Sequence, residues 1–317
     1  MTGARALVAA ALALVVGAAG LGAARCPTDE PAGFGLLEFA ARADARAMES
    51  DAALGVNPLF TWAELEPLEG AYNWAPVDEV LGNAHAHGRK VAPRVYTNAG
   101  DFDQATPDWV FDAGAAGYTL GDGSVTWQPV PTDPVFAAKF GAFLAALGAR
   151  YNGNPDIEFF QTNAGMGAYG EMVWSLDGGS ATGPFSASDI VETVEYWSDR
   201  WRAAFPDTHL VLMQNFIGQG IAETATAYAV ERGFYLQSNS PDQTDPAIDI
   251  LSAHDGRTKI VLEIENRGCN GATGEGFASL ADGVASYGFA VDYLVVCGDT
   301  LEDAGAAQRV YDLLRKR

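Results

Sequence analysis

Apolar and polar positions along this chain follow two periods, one suited to short buried strands and the other to amphipathic helices. Apolar runs with little polar interruption recur at 57–62 (NPLFTW), 90–96 (KVAPRVY), 157–162 (IEFFQT), 209–214, 233–237, 259–265 (KIVLEIE) and 291–297. A first strand is read at 33–40 (GFGLLEFA). Helical spacing alternates with these runs. Residues 75–87 carry Val77, Val80, Leu81 and Ala84 on one face and stop at Gly88. Residues 133–150 align Phe136, Phe140, Phe143, Leu144 and Leu147, and residues 189–204, with Ser188 as N-cap, bury Ile190, Val194, Trp197 and Trp201. Further helices are expected at 41–53, 219–231, 246–253, 275–287 and 302–315.

Strands that lack alternation suit a parallel sheet covered on both faces. Eight such βα units within about 300 residues predict an α/β fold, a (β/α)8 TIM barrel, rather than an open doubly wound sheet. No G-x-G-x-x-G or P-loop follows an early strand, which removes the usual dinucleotide and phosphate signatures.

Composition refines this picture in two ways. The 317 residues, 48% hydrophobic, suffice for one large core. A net charge of −22, from 19 basic and 41 acidic residues, repels nucleic acid and anionic lipid. Residues 1–25 stand apart from the fold. Arg5 precedes an apolar stretch at 6–21, and Gly22, Ala23 and Ala24 offer a cleavage site, so these residues are expected to be a signal peptide. Residues 26–317 then form a single barrel domain that is secreted, periplasmic or at the cell surface, with no membrane attachment after cleavage. Arg25 before Cys26 argues against a lipid anchor. Cys269 and Cys297 follow two late strands, and if those strands are neighbours an oxidising compartment would allow a disulfide. The four histidines are scattered and no C-x-x-C occurs, so no metal site is expected.

In a barrel of this kind the chemistry sits where the strands end. The fourth strand leads into GMGAYGE, residues 165–171, where three glycines admit tight turns and Glu171 lies between Tyr169 and Trp174. A carboxylate among rings is raised toward working pH by desolvation and suits proton donation. The seventh strand supplies a second acid. Alternation puts Glu263 and Glu265 on one side, Glu263 about 6–7 Å deeper. The expected second carboxylate is Glu265 at the mouth, with Glu263 the other possibility. Strand ends also offer Trp62, Arg94, Tyr96, Asn163, Tyr169, Trp174, Asn215, Gln237 and Glu263 as substrate-binding groups: amides and charges for hydroxyls, rings for sugar faces. Trp109 and Trp127 are further candidate platforms, and Glu64 and Glu66 read as structural or hydroxyl-binding.

These residues carry a resemblance. TWAELEPLEGAYNWAPVDEVLGNAHAHGRKVAPRVYTN, residues 61–98, resembles the W-x-x-x-E-P-x-x-G-x-Y-x-W…D…G-K-V segment of barrel glycoside hydrolases, including β-galactosidase-like families. TPDWV, residues 106–110, is similar to the loop after the third strand in those enzymes. GMGAYGE resembles the G-x-G-x-x-G-E loop of β-amylases, in which the acid donates the proton. The sequence departs from the large retaining clan at the fourth strand, where Asn163-Ala164 stands in place of Asn-Glu and the acid is displaced to Glu171.

The resemblance and the paired acids imply a glycoside hydrolase acting on an oligo- or polysaccharide, with Glu171 as donor and Glu265 as nucleophile or base, and with no cofactor. The alternative is a secreted barrel that binds glycans without cleaving them.

Overall fold

Ten parallel strand segments form one sheet, and two prolines explain how ten segments make a ring of eight. In the computed structural model, which describes residues 35–98, 104–119, 127–164, 166, 185–214, 219–239, 246–263 and 287–298 and singly 301, 305, 308 and 312, the segments begin with β1 (Gly35–Phe39), β2 (Ala53–Asn57), β3 (Leu59–Thr61), β4 (Lys90–Val91) and β5 (Arg94–Tyr96). An antiparallel hairpin follows, β6 (Gly117–Thr119) with β7 (Trp127–Pro129). Then come β8 (Phe160–Thr162), β9 (Leu210–Met213), β10 (Phe234–Asn239), β11 (Ile260–Glu263) and β12 (Tyr293–Val296). The sheet order is β3-β5-β8-β9-β10-β11-β12-β1-β2-β4.

Pro58 separates β2 from β3, and Pro93 separates β4 from β5. Each pair is one barrel strand interrupted where a backbone donor is missing. With β2–β3 as the second strand and β4–β5 as the third, the order closes on itself. An isolated bridge between Val91 and Ile157 extends the contact between the third strand and the fourth. The expected (β/α)8 barrel is the observed fold.

The ladder is repaired at the first of these prolines. Arg94 N donates to Pro58 O at 3.0 Å. The matching bond of a parallel ladder would run from the N–H of residue 58 to Ala92 O. Proline has no such hydrogen, and Asn57 Nδ2 donates to Ala92 O in its place.

Alternation along the strands sorts the core into two layers. Leu37, Ala92, Phe159, Val211, Val261, Tyr293 and Val295 cluster inside the ring. Their neighbours Leu36, Phe160, Leu210, Ile260, Leu262 and Leu294 face outward and pack under the helices. Those helices are α1 (Trp62–Leu65), α2 (Ala75–Ala86), α3 (Asp108–Asp112), α4 (Pro134–Tyr151), α5 (Ala187–Ala204), α6 (Gln219–Glu231) and α7 (Pro246–Ala253).

Two expectations need correction. No helix fills 41–53: a single 3-10 turn at Arg46–Met48 replaces it, and β2 already begins at Ala53. Ala53 pairs with Leu36 in the sheet, and the Glu38 carboxylate accepts from Ala47 N at 2.6 Å. Sheet closure and that buried carboxylate override the helical propensity of an alanine-rich stretch. Burial raises the pKa of Glu38. The N-cap of α5 is Ser186 rather than Ser188. Its Oγ accepts from Asp189 N at 3.3 Å while Asp189 accepts from Ser186 N at 2.7 Å, a capping box. The helix expected at 275–287 falls almost wholly outside the described residues, as does most of 302–315. Cys297 is in a disulfide, and both other cysteines, Cys26 and Cys269, lie outside the described residues.

α4 and α5 cross at Gly148, where an added Cβ would lie 2.2 Å from Ala204 O. Nothing flexible can yield there, because the obstacle is backbone. Gly148→Ala is expected to force the two helices apart and destabilise the protein by about 1–3 kcal/mol, the usual cost of overpacking. Thermal and denaturant unfolding measure this, and an unchanged midpoint would show that the crossing accommodates a methyl group.

Candidate active site

The inward-facing positions change character toward the strand ends. Apolar residues give way to Asn57, Arg94, Gln161, Gln237 and Glu263, one from each of five barrel strands, all buried. Arg94 is 2% exposed and Glu263 wholly buried, and their ion pair joins the third strand to the seventh. In a low-dielectric interior neither charge is tolerable alone, and the surrounding amides complete the arrangement. Arg94 Nε donates to Gln161 Oε1 at 2.9 Å and Nη1 to the Tyr96 hydroxyl at 2.6 Å, while Nη2 meets Glu263 Oε2. Gln237 Nε2 donates to the same Glu263 oxygen at 2.6 Å. Gln161 Nε2 donates to Gln237 Oε1, and Asn57 Nδ2 donates to Gln161 Oε1 at 2.6 Å. A continuous hydrogen-bonded layer therefore crosses the barrel beneath its mouth.

Four of the proposed binding residues, Arg94, Tyr96, Gln237 and Glu263, are thus brought together by the fold. Among the described residues their polar atoms bond to one another and to Gln161, which makes them the floor of a site. Glu263 has the partner that its depth demands.

Trp62 is not a platform. It is wholly buried, 5.1 Å from Phe140, 5.7 Å from Phe143 and 6.0 Å from Phe136 between ring centroids. Thr61 caps α1 by accepting from Glu64 N, and this turns Trp62 back toward α4. Its Nε1 donates to Glu66 Oε2 at 2.7 Å, and Gly70 N donates to Glu66 Oε1 at 2.7 Å. Burial raises the Glu66 pKa against the lowering effect of those two donors. Glu64 forms a two-pronged pair with Arg42. Both acids of that loop hold the chain in place.

Asn163 is likewise turned away from a ligand. Its Nδ2 donates to Thr97 Oγ1 at 2.8 Å and its Oδ1 accepts from Trp201 Nε1 at 2.9 Å, so it pins the fourth strand to the third and to α5. Ala164 beside it is buried in the apolar core. Trp197 and Trp201 are core residues, as helical spacing indicates. Glu171, Glu265, Tyr169, Trp174 and Asn215 lie outside the described residues.

Asn57 and Gln161 are members of the polar layer that the sequence reading did not single out. The signal was available: each is an amide at an inward position of a strand otherwise filled by apolar residues.

Comparison with known proteins agrees with this architecture. Residues 38–175, under half of the chain, match the profile of the glycoside hydrolase family 42 β-galactosidases. A β-galactosidase from Arthrobacter sp is 25% identical over 171 residues, which are 52% of this chain and 24% of that protein. The chain therefore spans about a quarter of the length of this curated relative. Among solved structures, a β-galactosidase from the psychrophilic Marinomonas ef1 aligns with a TM-score of 0.58 at 13% identity, over 89% of this chain and 59% of that one. An exo-β-1,4-mannosidase from Opitutaceae bacterium strain TAV5 gives 0.54 at 12% identity, over 84% and 52%. A psychrophilic glycoside hydrolase family 10 endo-β-1,4-xylanase gives 0.52 at 12% identity, over 84% and 86%. At such identities the solved structures speak for the fold alone, and the sequence match speaks for the stretch that runs from the first strand into the glycine-rich loop. Taken together, residues 38–175 are similar to the family 42 β-galactosidases, and the closed barrel is similar in fold to barrel glycosidases.

Proposed function

We propose that the protein hydrolyses O-glycosidic bonds of an oligo- or polysaccharide with a pair of carboxylates, Glu171 as proton donor and Glu265 as nucleophile or as base for water. The observation that carries this reading is the fixed charge pair under the mouth. Arg94 neutralises Glu263 at the last described position of the seventh strand, and the alternation read from the sequence assigns Glu265, two residues later, to the same side. The deeper acid is committed to the floor, and the next one is left for chemistry. The fourth strand supports the other half. Asn163 is occupied by Thr97 and Trp201, and Ala164 supplies no acid, so a donor from this strand has to come from further along its loop, where Glu171 is the first carboxylate. The family 42 match extends through that residue.

Protonation of the departing oxygen by one acid and attack or base assistance by the other suffice for an oxocarbenium-like transition state. The spacing of the two carboxyl groups sets the outcome: about 5–5.5 Å retains configuration and about 6.5–9.5 Å inverts it. Export through residues 1–25 belongs to the same reading. The disulfide at Cys297 supports it, because such bonds persist in oxidising compartments. Amino-terminal sequencing of the protein recovered from culture medium tests export; Met1 retained in a membrane fraction would overturn it.

The roles of the two acids separate in kinetics. Glu171→Gln is expected to lower kcat/KM on natural oligosaccharides by about 10²–10⁴-fold, the usual contribution of a general acid. Nitrophenyl glycosides, whose leaving group departs unaided, are expected to suffer less. Glu265→Gln is expected to abolish turnover of both. Full activity of Glu171→Gln on both substrate types would remove the donor assignment.

Glu263→Gln is expected to act on stability first. It removes the charge that Glu263 sets against the buried Arg94 guanidinium, at a cost of about 3–5 kcal/mol. Arg94→Met combined with Glu263→Leu is expected to recover most of that loss, because the two changes remove the charges together. Urea unfolding of the single and double variants gives the coupling. A Glu263→Gln protein of normal stability but no activity would move the second catalytic acid to residue 263.

A further inference from the structure

Among the described residues three large apolar side chains are exposed, and they differ in kind: Leu68, Tyr72 and Trp127, at 67%, 36% and 53%. Leu68 is a lone aliphatic side chain in a tight turn, a common surface feature. Tyr72 is stacked on Trp74, with centroids 5.0 Å apart and planes 16° from parallel, so one of its faces is already used. Trp127 is held in another way. It lies in β7, opposite Thr119, on a hairpin inserted between the third barrel strand and α4. That insertion leaves the barrel at the carboxyl ends of the strands, the face on which the proposed chemistry sits.

The indole is seated on a glycine. A Cβ built on Gly117 would lie 2.5 Å from Trp127 Cε3 and 3.0 Å from Phe111 Cε1. The ring thus rests against bare backbone, with Phe111 beside it at a centroid distance of 6.4 Å. The seat is itself anchored. Thr106 Oγ1 donates to Thr97 O at 2.6 Å at the end of the third strand, and Ala63 N donates to Ala105 O at 2.9 Å. On the opposite side of the hairpin, Tyr118 meets Phe185, just before α5, edge to face at 5.3 Å. Exposed side chains normally move among rotamers, and binding then has to pay for ordering them. A ring fixed from behind with more than half its surface open has lost that freedom already.

We propose that Trp127 is a sugar-stacking platform at the rim of the barrel mouth, binding one pyranose ring of an extended glycan at a distance from the cleaved bond. A flat apolar ring beside polar backbone complements the C–H face of a pyranose, whose hydroxyls stay in water. The proposal rests on the glycosidase reading and adds a substrate class to it: chains of several sugars in preference to disaccharides. Gly117 is the positioning residue, because any side chain there pushes the ring off its seat.

The test uses the full chain and four proteins: wild type, Trp127→Ala, Trp127→Phe and Gly117→Ala. The probes are β-1,4-linked xylohexaose, mannohexaose and galactohexaose, each paired with the nitrophenyl glycoside of the same sugar. For whichever sugar is cleaved, the ratio of kcat/KM on the hexasaccharide to that on the aryl glycoside is expected to fall about 10-fold in Trp127→Ala, the loss typical of truncating one packed aromatic anchor. Gly117→Ala, which keeps the tryptophan but occupies its seat, is expected to fall alike. Trp127→Phe is expected to restore most of the ratio, and KM rather than kcat is expected to carry the change. An unchanged ratio in Trp127→Ala overturns the platform even if the enzyme is active. If the wild type cleaves none of the probes, calorimetric titration with the three hexasaccharides decides the matter. Affinity lost about 10-fold in Trp127→Ala upholds the platform while removing the glycosidase reading, and equal affinity or no binding overturns it.

Discussion

The barrel is organised around one buried ion pair. Arg94 from the third strand and Glu263 from the seventh meet in the interior, nearly across the ring from one another, with water excluded from both. Such a pair gains little net stability over a well-packed apolar one, because desolvation offsets most of the attraction. What it does is fix geometry. An arginine with three separate nitrogens engaged, by Gln161, Tyr96 and Glu263, cannot shift without orphaning several groups at once. The strands that would have to position the two proposed catalytic acids, the fourth and the seventh, are both bonded to this one guanidinium, through Gln161 and Glu263.

Below that layer the interior is apolar, and outside the ring the aromatic residues of α1, α4 and α5 make a second rigid body. Trp62, Phe136, Phe140 and Trp197 interlock mostly at tilted or edge-on angles, with centroid distances of 5.0–6.0 Å. The connections of the second, third and fourth strands rest on this cluster, which gives the rim above them a packed aromatic base. In the connection after the third strand Trp109 packs on Trp62 at 5.6 Å, and the hairpin beyond it is held through Tyr118 and Phe185.

Much of this was legible from residue order. The helices at 75–86, 134–151, 187–204 and 219–231 follow from apolar spacing and stop signals, because a 3.6-residue period over three or more turns has few other readings, and the shorter helix at 246–253 follows the same spacing over two turns. The stretch 41–53 misled because its alanines favour helix locally, whereas its fate is decided by sheet closure with residues distant in sequence. Trp62 misled for a related reason: a strand-end tryptophan suits a sugar platform until the Thr61 cap turns it inward, and that turn is a three-dimensional fact. The polar layer was half legible. Arg94, Gln237 and Glu263 stand out as costly residues on buried strands, but which of them meet depends on the registers of five strands, and no spacing in the sequence encodes those registers. Glu171 and Glu265 rest on loop glycines and strand alternation in the sequence, and both lie outside the described residues.

The Asn57–Pro58 pair shows how a barrel can carry its own history. Pro58 deletes a backbone donor, and the side chain just before it supplies the replacement while also entering the interior network. The two residues are therefore one inheritable unit. Asp at 57 would set an acceptor against two acceptors, and restoring a donor at 58 would leave the amide of residue 57 competing for an occupied carbonyl. Rim loops above this level can be exchanged, lengthened or recruited to new substrates without disturbing the seam, since none of its bonds reaches them. A lineage built on this scaffold, or an engineer grafting new loops onto it, has freedom above the polar layer and very little at this dipeptide.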